Sequence, residues 1–164
     1  MLHDLLPVNR EMNRRNASYS PFCAGCGCQS ETCSHLYECP HIDFANWRRT
    51  FQRSTATLCD KLSTEQVVKH LLLTGIVAGW SDSQVPLTDF TPTFHPVIIF
   101  QSLIGWSQLN KGHFSLEWDK LHLKLTEKEN TRINWTTQII KHVWSSWFDL
   151  WLLRNSVNHG KSAS

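Results

Sequence analysis

Apolar side chains recur every three or four residues along most of this chain, the spacing that places them on one face of an α-helix. Glycine, proline and capping residues separate the periodic stretches. The pattern predicts six helices, over residues 9–16, 42–62, 64–79, 96–110, 115–125 and 131–158.

The apolar faces of the longer helices should form the core. Eight tryptophans among 164 residues can bury a large apolar area. The inward-facing positions that the spacing predicts are Phe44, Trp47 and Phe51, then Ile99, Leu103, Trp106 and Leu109, and finally Trp135, Ile139, Ile140, Val143, Trp144, Trp147, Leu150 and Trp151.

Small and conformationally restricted residues mark the predicted helix ends. Ser63 or Thr64 should cap the third helix. That helix should fade over Gly75 to Gly79, with prolongation through Ile76 and Val77 as the alternative. Prolines within residues 81–96 predict the clearest loop of the chain.

Composition excludes several classes of protein. The net charge is only +2 with histidine neutral, so the strongly basic surface of a dedicated nucleic-acid binder is absent overall. No segment reaches the roughly 18 apolar residues of a membrane span, and the first residues lack the apolar run of a secretion signal. We therefore expect a soluble intracellular protein, nuclear or cytoplasmic and not secreted. In that setting clustered cysteines bind metal more often than they form disulfides.

Four metal-ligating residues near the start of the chain follow the pattern C-x2-C-x8-H-x3-C. Two residues between the first cysteines let both thiolates turn towards one point, and the second pair is one helical turn apart. Three thiolates and one imidazole complete a tetrahedron around Zn²⁺, which is the geometry of a structural site. The predicted zinc ligands are Cys23, Cys26, His35 and Cys39.

Neighbouring residues leave alternatives open for this ligand set. Gly25 and Gly27 flank Cys26 and favour it in a tight metal-binding turn. Cys59 lies far from the cluster and is predicted to be a buried core thiol. The alternative ligands are Cys28 in place of Cys26, Cys33 in place of His35, and His41 after Cys39.

Together these patterns predict a mostly α fold, in which a small Cys/His zinc knuckle precedes a bundle of about five helices. A tiny hairpin within the knuckle is the one exception to the all-α fold that the pattern allows. We predict an N-terminal segment with the knuckle over residues 1–42 and a helical domain over residues 43–164, with the loop 81–96 inside it.

The chain resembles the C-terminal zinc-knuckle tail that follows the polymerase region in non-LTR retrotransposon reverse transcriptases, of the type found in microbial eukaryotes. In the front half the resemblance rests on His3-Asp4, Leu6-Pro7-Val8-Asn9, Cys23-Ala-Gly-Cys26, Glu31-Thr32, His35-Leu-Tyr-Glu-Cys39-Pro40 and Trp47. In the back half it rests on Gln101, Ile104-Gly105-Trp106, Gly112, Ser115, Trp118, Trp144, Trp147, Leu150-Trp151, Arg154-Asn155 and His159-Gly160.

This resemblance implies the same four knuckle ligands and a role in binding the RNA or target DNA of such an element. The polymerase of that family holds Mg²⁺ with adjacent aspartates, and this chain contains no Asp-Asp pair. The resemblance therefore implies a piece without polymerase activity.

Arginine and one tryptophan supply the candidate nucleic-acid contacts. Arginine makes forked contacts with phosphate, and a tryptophan beside arginines can stack on an unpaired base. For each arginine a solvated helix face is an equal alternative, and for the tryptophan packing on the knuckle is the stronger one. The candidates are Arg14, Arg15, Trp47, Arg48, Arg49 and Arg53.

Three functions are compatible with these features. The first is a non-catalytic nucleic-acid-binding accessory module derived from a retroelement, with RNA or DNA as partner. The second is a zinc-stabilised module for protein–protein contact through a Trp-rich surface, or an inert remnant. The third is a nuclease, for which the only plausible carboxylates are Asp82, Asp89, Glu117 and Asp119.

Overall fold

The computed structural model describes residues 8–27, 29–126 and 132–160, and within these ranges the fold is built of helices. The mostly α class and the Cys/His segment ahead of the helical bundle are confirmed. No described helix combines the length and the apolar character that crossing a bilayer requires. The α-helices are α1 (Asn9–Arg15), α2 (Cys33–Glu38), α3 (Ile42–Lys61), α4 (Gln66–Trp80), α5 (His95–Ile104), α6 (Trp106–Leu109), α7 (Glu117–Thr126) and α8 (Arg132–His159).

The described chain forms two compact units. The first consists of the described parts of Met1–Thr50 and Trp147–Ser164, and the second is the described part of Phe51–Ser146. Helices α3 and α8 each contribute residues to both units. The division after residue 42 stays a prediction, because the compactness of a unit does not show that it folds independently.

In the second unit α4 packs closely on α6, and two glycines make this approach possible. A Cβ atom at Gly75 would overlap the Trp106 ring, and one at Gly79 would overlap the Trp106 carbonyl oxygen. The indole of Trp106 is thereby 1% exposed. The helix passes through both glycines and ends at Trp80, one residue beyond the predicted end, because the glycines serve packing rather than helix termination.

The single helix expected over residues 96–110 is two helices, separated at Gly105. This glycine has a φ of +100°, a left-handed conformation that favours glycine. Because the chain turns there, α6 buries Trp106 and Leu109 while α5 has a buried face of its own. The expected inward positions Ile99 and Leu103 are wrong, since they are 46% and 77% exposed.

Gln101 replaces them on the buried face of α5 and is fully enclosed. Its Oε1 accepts hydrogen bonds from the Ser115 amide (3.0 Å) and from Trp118 Nε1 (3.1 Å). Its Nε2 donates to the carbonyl oxygens of Gly105 and His113. A buried amide whose donors and acceptor are all paired specifies one arrangement of the α5–α7 region.

The cap of α4 also differs from the expectation. The carboxylate of Glu65 accepts the hydrogen bond from the Val67 amide at 2.8 Å and is the N-cap. Thr64, the expected cap, instead accepts a hydrogen bond from Trp135 Nε1 at 2.8 Å. Its hydroxyl is therefore used for tertiary packing.

The apolar face of α8 is only partly buried. Trp135, Ile139, Val143 and Leu150 are buried as expected, but Trp144 is 53% exposed. The ring of Trp144 stays at the surface because its Nε1 donates to the carbonyl oxygen of Lys111 at 3.0 Å. The half-buried positions of the predicted face are Ile140, Trp147 and Trp151.

Substituting Gly79→Ala should destabilise the protein by about 1–3 kcal/mol, the usual cost of overpacking a close contact. The same change at an unconstrained helix position would stabilise by up to about 1 kcal/mol, because alanine is the better helix former. Urea denaturation measures the difference in the free energy of unfolding. Val77→Ala, at an exposed position of the same helix, is the control. A more stable Gly79→Ala variant would contradict the close packing of α4 on α6.

Candidate metal centre

A narrow hairpin holds the first two ligands of the predicted cluster. The amide of Cys23 donates to the carbonyl oxygen of Gln29 at 2.8 Å, and the amide of Gly27 donates back to the carbonyl oxygen of Cys23 at 2.8 Å. Phe22 and Ser30 form an isolated antiparallel bridge next to this turn. Gly27 completes the turn with a φ of +68°, so the sequence C-A-G-C-G folds both thiols towards one side.

Helix α2 supplies the other two ligands. Thr32 caps the helix by accepting a hydrogen bond from the His35 amide at 3.0 Å. Cys39 lies at the C-cap, and its amide donates to the carbonyl oxygen of His35 at 2.7 Å. Residues four apart on a helix lie on one face, so His35 and Cys39 both face the hairpin.

The four side chains converge as the sequence predicts. Their ligand atoms all lie within 4.8 Å of one another, and this is the one such group found in the described part of the chain. The Sγ atoms of Cys23 and Cys39 are 3.7 Å apart, and Cys26 Sγ is 3.4 Å from His35 Nε2. Two thiolates at tetrahedral angles around an ion about 2.3 Å away lie about 3.8 Å apart, so this spacing suits a bound metal.

Gln29 orients the histidine of the cluster. Its Oε1 lies 3.0 Å from Nδ1 of His35, so Nδ1 is placed to donate a hydrogen bond. Nε2 is then left without a proton and faces the thiols, as a metal-binding nitrogen must. Burial lowers the pKa of His35, although Glu31 and Glu38 oppose this, and the neutral ligand form is favoured. No sequence pattern points to Gln29, and the prediction missed it.

Two of the three cysteine thiols of the cluster are strongly shielded from water, whereas Cys26 is half-buried. Cys23 and Cys39 are 1% and 0% exposed. Burial raises the pKa of Cys23, and it raises the pKa of Cys39 to about 12. At neutral pH the thiols of Cys23 and Cys39 therefore keep their protons, and a metal ion must displace those protons on binding.

The alternative ligands fall outside the cluster or outside the described residues. Cys33 begins α2 without joining the group, and Cys28 is not described. His41 Nδ1 accepts a hydrogen bond from the Asp43 amide at 3.3 Å and lies against the Phe44 ring. Cys59, in the second unit, is fully buried as expected, and burial raises its pKa to about 11.

The candidate nucleic-acid residues of the first unit differ in exposure and in the interactions that their side chains already make. Arg15 and Arg49 are exposed, whereas Arg14 pairs with Glu11 at 2.9 Å. Arg48 is half-buried and donates from Nη1 to the carbonyl oxygens of Tyr37 (2.9 Å) and Cys39 (3.0 Å) at the end of α2. Burial lowers its pKa, although Cys39 opposes the shift. The Arg48 side chain therefore stabilises the end of α2 next to the cluster.

Trp47 is 8% exposed and packs on Tyr37, with 6.0 Å between ring centroids. This is the packing alternative that the sequence favours, and its role in base stacking stays a prediction. Arg53, in the second unit, is exposed.

Two further residues beside the cluster escaped the sequence prediction. Glu31 and Arg154 are 1% and 3% exposed and form a buried ion pair of 2.7 Å. From its position near the end of α8, Arg154 is expected only to contact the end of its own helix or a neighbouring helix. Both residues belong to the stretches that carry the resemblance, Glu31-Thr32 and Arg154-Asn155, but nothing in the sequence indicates that they pair with each other.

The carboxylates considered for a nuclease do not form a metal-binding group among the described residues. Asp119 accepts a hydrogen bond from Thr136, and Glu117 pairs with Lys120 at 2.6 Å.

Comparison with known proteins adds no relative: no family model, no curated protein and no solved structure matches this chain. The resemblance to retrotransposon tails stays a prediction from the residues alone.

Replacing Cys39 with serine should remove the bound metal, reducing it from about one ion per chain to a small residual fraction, because one of four ligands is lost. Elemental analysis of the purified protein measures the metal content. Cys33→Ser is the matched control, since Cys33 lies in the same segment but outside the cluster. Equal metal loss in both variants, or a folded wild type without metal, would contradict the assignment.

Proposed function

We propose that the cluster binds one zinc ion and that the site is structural. Three thiolates with one imidazole are typical of structural zinc sites, and the histidine argues against an iron–sulfur cluster. Four protein ligands leave no open coordination position for a substrate. Metal binding would supply folding energy to the segment Pro21–Pro40, which has too few apolar residues for a core of its own.

We propose further that this zinc-stabilised unit is a nucleic-acid-binding accessory module without catalytic activity. The observation that carries the proposal is the closed Cys3His cluster, with exposed Arg15 and Arg49 in the same compact unit. Guanidinium groups in this setting are available for forked contacts with phosphate. The resemblance to retrotransposon tails supports RNA or DNA as the partner.

The net charge of the chain limits the nucleic-acid affinity that we expect. The whole chain has a net charge of only +2 with histidine neutral, so few phosphates would be neutralised. Binding should therefore be moderate and should depend on salt, because each neutralised phosphate releases condensed counterions.

The zinc-loaded chain should bind single-stranded RNA or DNA, with affinity that falls between about 50 and 200 mM salt. The double substitution Arg15→Gln with Arg49→Gln should weaken binding and reduce the salt slope by about one unit for each phosphate that is no longer neutralised. Fluorescence anisotropy with a labelled oligonucleotide measures both. Lys124→Gln, an exposed lysine in the second unit, is the control. Wild-type binding no stronger than that of a neutral protein of similar size would refute the proposal.

Protein–protein contact is a second candidate, favoured by an apolar face on α5. Four large apolar side chains are exposed on this helix, which contains no Asp, Glu, Lys or Arg. Nucleic acid presents charged phosphates, so such a face suits another protein surface better. The expected Trp-rich surface is not what supports this candidate, since five of the eight tryptophans are buried. The exposed residues are Ile99, Phe100, Leu103 and Ile104.

Self-association is the direct test of this face. Under this candidate, sedimentation of the wild type at rising concentration shows association, and Leu103→Lys weakens it at least about fivefold by placing a charge on the apolar contact. Lys120→Ala, at an exposed position of α7, should leave it unchanged. A strictly monomeric wild type would remove self-association as the use of this face.

A further inference from the structure

The end of α8 is tied to the metal-binding hairpin by a buried group of charges. Oε1 of Glu31 lies 2.8 Å from Nε and 2.7 Å from Nη2 of Arg154, and it also accepts a hydrogen bond from the Asn9 amide at 2.9 Å. Glu31 is nearly inaccessible to solvent, so these donors replace the water molecules that an exposed carboxylate would bind.

Asn9 extends the group to the other side of the hairpin. Its Oδ1 accepts a hydrogen bond from Arg154 Nη2 at 2.6 Å, and its Nδ2 donates to the carbonyl oxygen of Phe22 at 2.7 Å. Arg154 therefore holds Glu31 directly and Phe22 through Asn9. These two residues lie on opposite arms of the hairpin that contains Cys23 and Cys26.

The same hairpin sets the geometry of the cluster. The Glu31 amide donates to the carbonyl oxygen of Pro21 at 2.9 Å, and the Cys23 amide donates to that of Gln29 at 2.8 Å. Gln29 is the residue that orients His35. A shift of the arm that carries Glu31 would thus move a ligand backbone and the histidine's partner together.

From these contacts we infer that Arg154 is a positioning residue for the metal centre, acting through Glu31. The inference rests on the proposed metal site. Metal binding and docking of the end of α8 should then stabilise each other, because both need the same hairpin geometry. Such coupling is reciprocal: whatever docking contributes to metal affinity, metal binding contributes to docking.

The first test measures zinc affinity of the full chain by competition with a chromophoric chelator. Arg154→Met should weaken zinc binding at least about fivefold, the lower end of typical coupling between sites. Arg154→Lys keeps the charge but loses the fork, and should fall between Arg154→Met and wild type. Arg10→Met is the control, because the Arg10 side chain is exposed.

The second test needs no substitution, so it decides the matter even if Arg154→Met does not fold. Hydrogen–deuterium exchange is compared in the zinc-loaded and chelator-treated wild type. Exchange of the amides over residues 147–159 should rise at least about fivefold on zinc removal, while the amides of α4 and α6 keep their protection.

The outcomes separate this inference from the proposed function. A wild type that binds no zinc overturns both. A wild type that binds zinc, with Arg154→Met folded and of unchanged affinity, overturns the inference alone. Unchanged protection of residues 147–159 after zinc removal overturns it as well.

Discussion

The convergence of four ligand atoms is the constraint on which the first unit depends. The segment that carries them has little apolar material, and its shape comes from backbone hydrogen bonds, one helix cap and the cluster itself. Without a bound ion, the protonated thiols of Cys23 and Cys39 and the neutral imidazole of His35 have little attraction for one another, although the four ligand atoms lie within 4.8 Å. A bound ion would change this balance, because it would link the hairpin and α2 through four bonds. The buried Glu31–Arg154 pair fixes the end of α8 to the hairpin, and Arg48 fixes α3 to the end of α2.

The ligand set could be predicted because its geometry is local. Cys23 and Cys26 share one turn, and His35 and Cys39 share one face of a short helix, so spacing alone brings each pair together. The supporting residues could not be predicted in the same way. Gln29 reaches His35 across the hairpin, and Glu31 meets Arg154 across 123 positions of sequence. Such contacts depend on the tertiary fold and leave no periodic signal.

The helical bundle shows the same division between local and tertiary information. Hydrophobic spacing predicted most helices, since an apolar face is needed wherever a helix meets the core. It failed where one residue changes the backbone or the packing. Gly105 turns the chain and exposes Ile99 and Leu103. Gly75 and Gly79 look like helix breakers, but they admit the ring and the backbone carbonyl of Trp106, respectively. A glycine has both uses, and the neighbour that decides between them is distant in sequence.

The discontinuity of the first unit has a consequence for how it forms during translation. Chains emerge N-terminus first, at about 5–20 residues per second, so Arg154 is made about 6–25 s after Glu31. Through that interval the Glu31 carboxylate lacks its guanidinium partner, while all four candidate metal ligands are synthesised once Cys39 is made, early in the interval. The four candidate ligands are therefore available to a metal ion before the end of α8, which carries Arg154, has been synthesised. The Glu31–Arg154 contact spans 123 positions of sequence, and non-local contacts of this kind form late because the chain between them must first be closed into a loop.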